Sequence, residues 1–477
     1  MMNLASALKT PFQNNGKTDR LLLAVFLVIN LLVLVNNTLH NPEMGYDAED
    51  HLNYMRTLPY RLPTQQDTAE FFSPPLPYFV PSLADKACHT ILGDWDSPTS
   101  IDDCRKVAGK TAQAINFIFS IGITLLFIQI AETLRPGSRT LKIASLALLG
   151  VMTVYYKSFA QARGEPYVAF FTVWAIYLVL RLIQNRDRLI WKDGLFLGLI
   201  LGLLGLSRQW GFMLFPAVIA LVPLAWIADR KLDWRLSKVF ATGMVVAFLV
   251  SGWFYIYLYL NYGTFTAFNR NTKGFSFSNQ PDSFYRTTGL KNLALFKTPT
   301  RNTFNNTFIP IFYSEVWGDY WGYFVFIRDK SYLAVNGVGN QAQITPYLGR
   351  VNAVSVYPTL IMLGGVLVGA WSLFKLLRSK PEDRSRNLFY AFLFTFLASA
   401  FVLYMYFLIS YPNLLKGDTI KATYMLHALV ILPLLGGELL ERIQSYKRLA
   451  YSAAMLLLAL VFLHNLPAMI TRYRMFF

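Results

Sequence analysis

The sequence predicts an all-α polytopic membrane protein with about eleven transmembrane helices and two large extracytoplasmic loops. Of its 477 residues, 54% are hydrophobic, and the mean hydropathy is +0.37. Only 15% are charged, against about 25% in soluble domains, which argues against a large soluble enzyme. Apolar runs approach the roughly 20 residues that cross a bilayer, and basic residues cluster in the short segments between them.

The first apolar run occupies 21–35 and follows a basic N-terminus. A secretory signal peptide would end in a small-residue cleavage site, whereas the polar residues 36–40 follow here. We therefore expect an uncleaved signal anchor, with a cytoplasmic N-terminus over 1–20 and a first transmembrane helix over 21–37.

Ten further apolar runs follow along the chain. They predict transmembrane helices two to seven within 111–260 and the C-terminal helices within 356–477. The long segments 38–110 and 261–355 are then the first and second extracytoplasmic loops. The runs lie near 111–132, 142–156, 167–183, 194–207, 210–228, 239–260, 356–377, 388–410, 424–440 and 449–465.

Basic residues set the expected orientation, because short cytoplasmic loops carry an excess of Lys and Arg. The N-terminus should face the cytoplasm, and both long loops and the C-terminus should face outside. The expected location is multi-pass in the plasma (inner) membrane, with an extracytoplasmic active site and the lipid bilayer as a partner. The basic residues of the alternate short loops are Arg135, Arg139, Lys142, Arg186, Arg188, Lys192, Arg230, Lys231, Arg235, Lys238, Arg378, Lys380, Arg384, Arg386, Arg442, Lys447 and Arg448.

The net charge of +17 would suggest a nucleic-acid partner in a soluble protein. In a membrane protein the same surplus marks cytoplasmic loops, and no nucleic acid is expected. The rest of the charge divides between an acidic first loop and a basic second loop. That division suits a reaction that needs a base and an anion-binding site, and it equally suits two loops that only pair with each other.

The two cysteines, Cys88 and Cys104, both fall in the first extracytoplasmic loop, on the oxidising side. A bridge between them would close a loop of about 15 residues, for which chain-entropy treatments give about 3 kcal/mol. We predict a disulfide, and two unrelated thiols are the alternative.

Several residues suited to catalysis follow the first helix. Asp47 has the position of a helix N-cap, with Asp50 in the first turn. On that helix Asp47, His51 and Tyr54 share one face, which places a carboxylate and an imidazole just outside the bilayer. The alternative is a capping Asp and a surface His.

A proline-rich stretch, Ser73-Pro74-Pro75-Leu76-Pro77-Tyr78, lies further along the first loop. Prolines disfavour helix before them and fix the entry of the amphipathic stretch from Val80 to Leu92. The loop is therefore predicted to hold two short helices, the second lying along the membrane interface.

These motifs resemble the GT-C class of polytopic glycosyltransferases, most closely the lipid-carrier-dependent group of protein mannosyltransferases and aminoarabinose transferases. Asp47–His51 matches the Asp-Glu-x-x-His pattern of one subgroup, and Pro74–Tyr78 matches the Pro-Pro-Leu-x-Tyr motif. Two positions depart from the pattern: Ala48 replaces the usual Glu, and Ser73 stands where His or Gln commonly precedes the prolines.

The resemblance implies roles for the first-loop residues. Asp47 is the counterpart of the family's acidic pair, unless Glu49 or Asp50 substitutes for the missing Glu. Glu49, Asp50 and Tyr78 are also candidates for binding the sugar or the acceptor.

Similar proteins carry charges at the outer ends of later helices. Arg163 and Glu165 lie at the outer end of two such helices, where the family's charges are near the donor or the acceptor. A structural ion pair at the membrane interface would have the same two residues. Arg208, at the same outer level, would hold a lipid phosphate by charge-assisted hydrogen bonds or snorkel to the interface. Lys421 and Tyr424 resemble the basic residue and the tyrosine with which the corresponding helix of the family begins. The resemblance makes Lys421 a further candidate for binding the phosphate and Tyr424 a candidate for binding the sugar.

In the second loop, Glu315 and Asp319 lie among aromatic residues. Carboxylates beside aromatic faces suit a sugar ring or an acceptor, and a membrane-interface belt has the same composition.

The resemblance also implies a reaction. The donor would be a sugar on a polyprenyl phosphate, transferred by a hexosyl- or pentosyltransferase, with inversion, to a hydroxyl of a protein, lipid or glycan. Asp47 would be the general base, Arg163 and Arg208 the phosphate partners, and His51 and Glu165 supporting residues. No compact ligand cluster demands a cofactor, and the resemblance leaves a divalent cation in the acidic loop possible.

Two other functions stay open from the sequence. A flippase or transporter of a lipid-linked sugar would place ionisable residues near mid-span, where this sequence has few. A non-catalytic scaffold on the same fold is the second, and Ala48 keeps it open.

Overall fold

The computed structural model describes residues 12–14, 17–92, 97–266, 268–269, 272–286, 290–301, 303–325, 341–378, 380–414 and 417–473. Within these ranges the chain is helical, apart from a two-residue antiparallel ladder that pairs Gln13–Asn14 with Lys17–Thr18. The predicted all-α class is confirmed. Parts of the predicted cytoplasmic N-terminus and of the second loop, including 326–340, lie outside the described residues.

The α-helices of the described chain are numbered in order. They are α1 (Arg20–Leu39), α2 (Ala48–Thr57), α3 (Leu76–Leu92), α4 (Pro98–Leu134), α5 (Arg139–Gly150), α6 (Thr153–Ala160), α7 (Glu165–Gln184), α8 (Trp191–Gly205), α9 (Phe215–Asp229), α10 (Trp234–Tyr262), α11 (Asp282–Tyr285), α12 (Phe308–Trp317), α13 (Gln341–Val354), α14 (Val356–Lys375), α15 (Pro381–Ser410), α16 (Leu426–Leu429), α17 (Leu432–Tyr446) and α18 (Arg448–Asn465).

Among the described residues, eight helical segments are long and apolar enough to cross a membrane. They contain α1, α4, α7, α9, α10, α14, α15 and α18. Two bent pairs, α5 with α6 at 64° and α16 with α17 at 44°, raise the number to ten if each pair is one span. The predicted count of eleven is not confirmed.

The predicted run that falls short is α8, which has 15 residues where a span needs about 20. Glycines let α8 pack against α10 at very short range. A Cβ atom on Gly198 would lie 2.5 Å from the carbonyl oxygen of Gly243, and one on Gly194 would lie 2.5 Å from that of Val239. Small residues at four-residue spacing allow two membrane helices this close approach.

The first loop contains α2 and α3, joined by the proline-rich stretch. Cys88 of α3 and Cys104 of α4 form the predicted disulfide, with their Cα atoms 5.5 Å apart. The bond fixes the end of α3 to the beginning of α4, on either side of the undescribed residues 93–96.

Ion pairs connect the loops at one end of the helical bundle. Arg135 donates to Glu438 at 2.7 Å, and Arg139 donates to Asp19. These residues come from segments that the basic-residue pattern assigns to one side of the membrane, so the contacts agree with that alternation. We call this end, marked by Asp19, Arg135, Arg139 and Glu438, the basic end.

The last described residues return to the first helix at the opposite end. The side chain of Asn36 donates to the carbonyl oxygen of Met469 at 2.8 Å and accepts from the N–H of Thr471 at 2.8 Å. The N–H of Arg472 donates to the carbonyl oxygen of Phe324 at 2.8 Å. The end of the described chain is therefore packed between α1 and the second loop.

Candidate functional site

Asp47 occupies the N-cap position of α2, but its side chain makes no capping hydrogen bond. Its backbone has a φ of 54°, in the left-handed region, which few residues with a Cβ adopt. The carboxylate turns instead to Lys421, whose Nζ donates to Asp47 Oδ2 at 2.8 Å. Asp47 therefore has the predicted N-cap position, but its side chain does not cap the helix, because Lys421 takes the place of the helix N–H groups.

Lys421 lies between the faces of two tyrosines. Its Nζ is 5.1 Å from the ring centroid of Tyr46 and 5.4 Å from that of Tyr424, which is cation–π geometry. Burial acts to lower the pKa of Lys421, but Asp47 outweighs it and raises that pKa above its ordinary value. Burial acts to raise the pKa of Asp47, but Lys421 and Arg163 outweigh it and hold that pKa well below its usual range. Both groups are charged at neutral pH.

Arg208 lies between α8 and α9 and is buried among carboxylates. Its Nη1 donates to Glu70 and to the hydroxyl of Ser73, and its Nε donates to Glu165 Oε1 at 3.3 Å. Arg163 donates to both oxygens of Glu165, at 2.6 and 2.8 Å. Buried charges are tolerated when they are paired, so two arginines and two carboxylates form one neutral network.

Glu70 is a site residue that the motifs did not identify. It is buried, and burial acts to raise its pKa while Arg208 outweighs that effect and lowers it. The charge of Asp47 also acts on this pKa, so the two carboxylates are close enough to interact. Glu70 thus supplies a second carboxylate where Ala48 supplies none. The available signal was an acidic residue just ahead of the proline-rich stretch.

Gly164, at the turn between α6 and α7, allows three segments of the chain to meet. A Cβ atom there would lie 2.8 Å from Cγ of Arg208, 2.8 Å from the carbonyl oxygen of Ser207 and 3.1 Å from Cγ of Pro77. Separations below 3.0 Å are too short for a real Cβ contact. Glycine is therefore required for the turn, the proline-rich stretch and the α8–α9 connection to converge.

His51 lies in the interior of the first loop, so the alternative of a surface histidine is excluded. Its Nδ1 is 2.9 Å from the hydroxyl oxygen of Tyr78 and 3.9 Å from Glu70 Oε2. Burial lowers the pKa of His51 to about 4, against the raising effect of Glu70, so the ring is neutral at pH 7. Tyr78 stacks on Tyr54 with ring centroids 4.1 Å apart. The Pro-Pro-Leu-x-Tyr motif is therefore joined to α2 through its tyrosine.

A second buried ion pair connects the second loop to Tyr46. Lys157 Nζ donates to Glu315 Oε2 at 2.7 Å, with both side chains fully buried. The hydroxyl of Tyr46 donates to the same oxygen. Asp319 accepts hydrogen bonds from three backbone N–H groups of residues 323–325. Glu315 and Asp319 therefore organise the second loop, and neither is among the residues that line the cavity described below.

The other predicted residues occupy different surroundings. Glu49 is exposed. Asp50 accepts from the N–H of Ala69 at 2.9 Å and so holds the chain that leads to Glu70. Tyr424 lies against Trp210, with ring centroids 4.7 Å apart.

An open cavity with a volume of about 100 Å³ lies against the ionic cluster. The ionic part of its lining consists of Asp47, Glu70, Asp418, Arg208 and Lys421. Much of the remaining lining is aromatic: Phe72, Trp210, Phe268, Phe407, Tyr411 and Tyr424. Carboxylates, two cations and several ring faces are therefore presented to one space.

The acidic residues of the cluster do not form a metal site. In the described part of the chain, no group of three or more His, Cys, Asp or Glu side chains is arranged to hold a metal ion. Asp47, Glu70 and Glu165 each accept from a lysine or an arginine instead. These residues do not fit a divalent cation in the arrangement that they have.

Residues 101–256 match the dolichyl-phosphate-mannose-protein mannosyltransferase family. The matched segment contains Arg163, Glu165 and Arg208 and ends short of Lys421. It also begins after the first-loop motifs, so the two lines of resemblance come from different parts of the chain. No curated protein sequence matches the chain.

Several solved structures are similar at low sequence identity. The Archaeoglobus fulgidus oligosaccharyltransferase in complex with Zn and sulfate is 13% identical with a TM-score of 0.49, covering 94% of this chain and 53% of that chain. ArnT from Cupriavidus metallidurans bound to undecaprenyl phosphate is 13% identical with a TM-score of 0.46, covering 92% and 63%. This chain therefore spans about half the length of the archaeal enzyme. The family match over 101–256 confirms the resemblance to the lipid-carrier-dependent GT-C glycosyltransferases.

Proposed function

We propose that this protein is a membrane glycosyltransferase that moves a sugar from a polyprenyl phosphate to an acceptor hydroxyl, with inversion, on the extracytoplasmic side of the plasma (inner) membrane. The observation that carries the proposal is the Asp47–Lys421 pair at the cavity beside Arg208. One base and two cations meet there, which is the minimum that this reaction needs. The family match supports the same class of reaction.

Asp47 is the general base in this proposal. The acceptor oxygen bonds to the anomeric carbon, and its proton passes to the Asp47 carboxylate. The bond from that carbon to the phosphate oxygen breaks, and the polyprenyl phosphate leaves with the electron pair. The leaving phosphate is a stable anion, so it needs cations rather than a proton, whereas the hydroxyl needs a base within hydrogen-bond reach.

Lys421 connects donor binding to the strength of the base. Its ammonium group holds Asp47 at 2.8 Å and keeps the pKa of that carboxyl low, which makes Asp47 a weak base. A donor phosphate competes for the same ammonium group. Each hydrogen bond that Lys421 transfers to the phosphate raises the pKa of Asp47, so the base becomes stronger when the donor is bound.

Arg208 is the second phosphate partner, because it lines the cavity and is held in place by Glu70 and Glu165. Arg163 is not among the lining residues, and we assign it a supporting role. It donates to Glu165 and lies 5.3 Å from the ring centroid of Tyr46, so it fixes groups that contact Arg208 and Lys421. The aromatic lining then offers ring faces to the sugar.

The test is donor turnover by the purified protein, measured with radiolabelled hexose and pentose polyprenyl phosphates as release of polyprenyl phosphate. Asp47→Asn should lower the rate by about 100- to 10,000-fold, the usual contribution of a general base. Glu49→Gln is the matched control, because it removes an exposed carboxylate two residues away and should keep the wild-type rate.

Other outcomes would point elsewhere. Full turnover by Asp47→Asn would remove Asp47 from the mechanism. Movement of intact donor across vesicle membranes, without cleavage, would favour the flippase, and neither turnover nor movement would favour the scaffold.

A further inference from the structure

A second cavity opens between α1, α5 and α18, and it shares no lining residue with the cavity at Asp47. Its volume is about 450 Å³. On α1 it runs from Leu21 to Ile29, and on the adjacent segment from Ile143 to Val151. We call this cavity the lateral groove.

The lateral groove is lined entirely by apolar residues, and small side chains create its depth. Ala24, Ala147 and Ala459 lie on three different helices, and Gly150 lies at the end of α5. In membrane bundles, small residues usually bring helices into contact, whereas here they border open space. Apolar cavities stay dry and take apolar ligands, so the chemistry of this groove suits a hydrocarbon chain.

The length of the groove corresponds to one leaflet. The eight residue-to-residue steps from Leu21 to Ile29 rise about 12 Å along the helix. Half of a bilayer's hydrocarbon core is about 15 Å. The groove therefore covers nearly the depth of one lipid's acyl chain and does not cross the membrane.

One end of the groove, at Leu21 of α1 and Ile143 of α5, lies near the basic end. The helices α1, α5 and α18 begin at Arg20, Arg139 and Arg448, and the ion pair between Arg139 and Asp19 joins the first two of these beginnings. Arg20 and Arg448 are exposed. Exposed arginines at the headgroup level attract anionic lipids.

We propose that the lateral groove binds one acyl chain of an anionic phospholipid, whose headgroup contacts Arg20 and Arg448. The apolar lining selects the chain, and the arginines select a negative headgroup over a zwitterionic one. The site is separate from the proposed donor site and does not depend on the proposed reaction.

The experiment is native mass spectrometry of the full chain in detergent, with palmitoyl-oleoyl phosphatidylglycerol or phosphatidylcholine added. The wild type should retain one phosphatidylglycerol in preference to phosphatidylcholine. Arg20→Gln and Arg448→Gln should each lower that preference by about fivefold. Ala24→Phe with Ala459→Phe should abolish retention of either lipid by filling the groove.

The control is Ala398→Phe, which adds the same ring at an exposed position of α15, outside the groove. It should bind phosphatidylglycerol as the wild type does. Because Ala24 and Ala459 are also exposed, the filled variant should keep the wild-type melting temperature. Retention of phosphatidylglycerol by the filled variant, equal retention of both lipids by the wild type, or displacement of phosphatidylglycerol by undecaprenyl phosphate would each overturn the proposal.

Discussion

Asp47 combines a left-handed backbone with a carboxylate held by a lysine. A non-glycine residue in that region costs about 1–3 kcal/mol. A charge-assisted hydrogen bond contributes about 1.5–3 kcal/mol, so the contact with Lys421 is of the right size to offset the strain. The same contact aims the carboxylate at the cavity instead of along the axis of α2.

The first prediction concerns the ammonium group of Lys421. Lys421→Met should lower kcat/KM for the donor by about 10- to 100-fold, the equivalent of one charge-assisted hydrogen bond. Without the cation, the pKa of Asp47 rises from its depressed value, so the acidic limb of the rate profile should move to higher pH. The measurement is kcat/KM from pH 4 to 8.

Lys273→Met serves as the control, since it removes an exposed lysine of the second loop. It should leave both the rate and the pH profile unchanged. An acidic limb that stays in place in Lys421→Met would show that Asp47 does not titrate in the reaction.

The second prediction concerns stability against acid. The pKa of His51 falls from 6.5 to about 4 on burial, so between these values the unfolded chain binds a proton that the folded chain does not. Stability should therefore fall as the pH drops from 6.5 to 4, by up to about 3 kcal/mol from this residue. His51→Gln should show a smaller loss of melting temperature between pH 7 and pH 5 than the wild type.

His40 contributes to the same pH dependence of stability, because burial lowers the pKa of His40 to about 4 as well. An identical slope in His51→Gln would contradict the assignment of a neutral buried ring.

The residue-scale features could be predicted from the sequence in part. Asp47, His51 and Tyr78 lie close together in the chain, so motif spacing identified them as candidates. Glu70 was missed because its role depends on Arg208, which lies 138 residues further on. Nothing in the spacing of charges specifies which of them pair.

At the scale of elements, the Lys157–Glu315 pair fastens the second loop to α6 and, through Tyr46, to the residue before Asp47. We predict that Lys157→Met costs about 3–5 kcal/mol of stability, because it leaves a carboxylate buried without its cation. The double variant Lys157→Met with Glu315→Gln should recover most of that loss. The measurement is thermal unfolding in detergent.

A double variant that is no more stable than Lys157→Met would refute the uncompensated charge as the cause. Activity provides a second comparison: Lys157→Met should reduce turnover even below the melting temperature, because Lys157 fixes the Glu315 carboxylate to which Tyr46 donates.

Element boundaries followed from hydropathy more reliably than the number of spans did. The apolar runs identified the helices, and the run at 194–207 was already shorter than a span, but its length did not reveal that α8 packs against α10 through glycines. The bends within α5–α6 and α16–α17 were also missed, since both halves of each pair are apolar. Such features depend on neighbouring helices, which hydropathy does not describe.

For the whole molecule, the contacts separate a basic end from an end that carries the site. We predict that the basic end faces the cytoplasm. A cysteine placed at Tyr60, which is 75% exposed in the first loop, should react with a membrane-impermeant maleimide in intact cells. A cysteine at Asp187, exposed between α7 and α8, should react only after permeabilisation. The reverse pattern would invert the proposed topology.

The pairing of Asp47 with Lys421 also has a consequence for biosynthesis. The two residues are 374 positions apart, and translation at about 5–20 residues per second separates their appearance by roughly 20 to 75 s. During that interval the first loop with Asp47 has already left the ribosome, while Lys421 has not yet been synthesised. In the proposed reaction, a nascent chain without Lys421 cannot turn over the donor, so activity would begin only after residue 421 has been made and has reached Asp47.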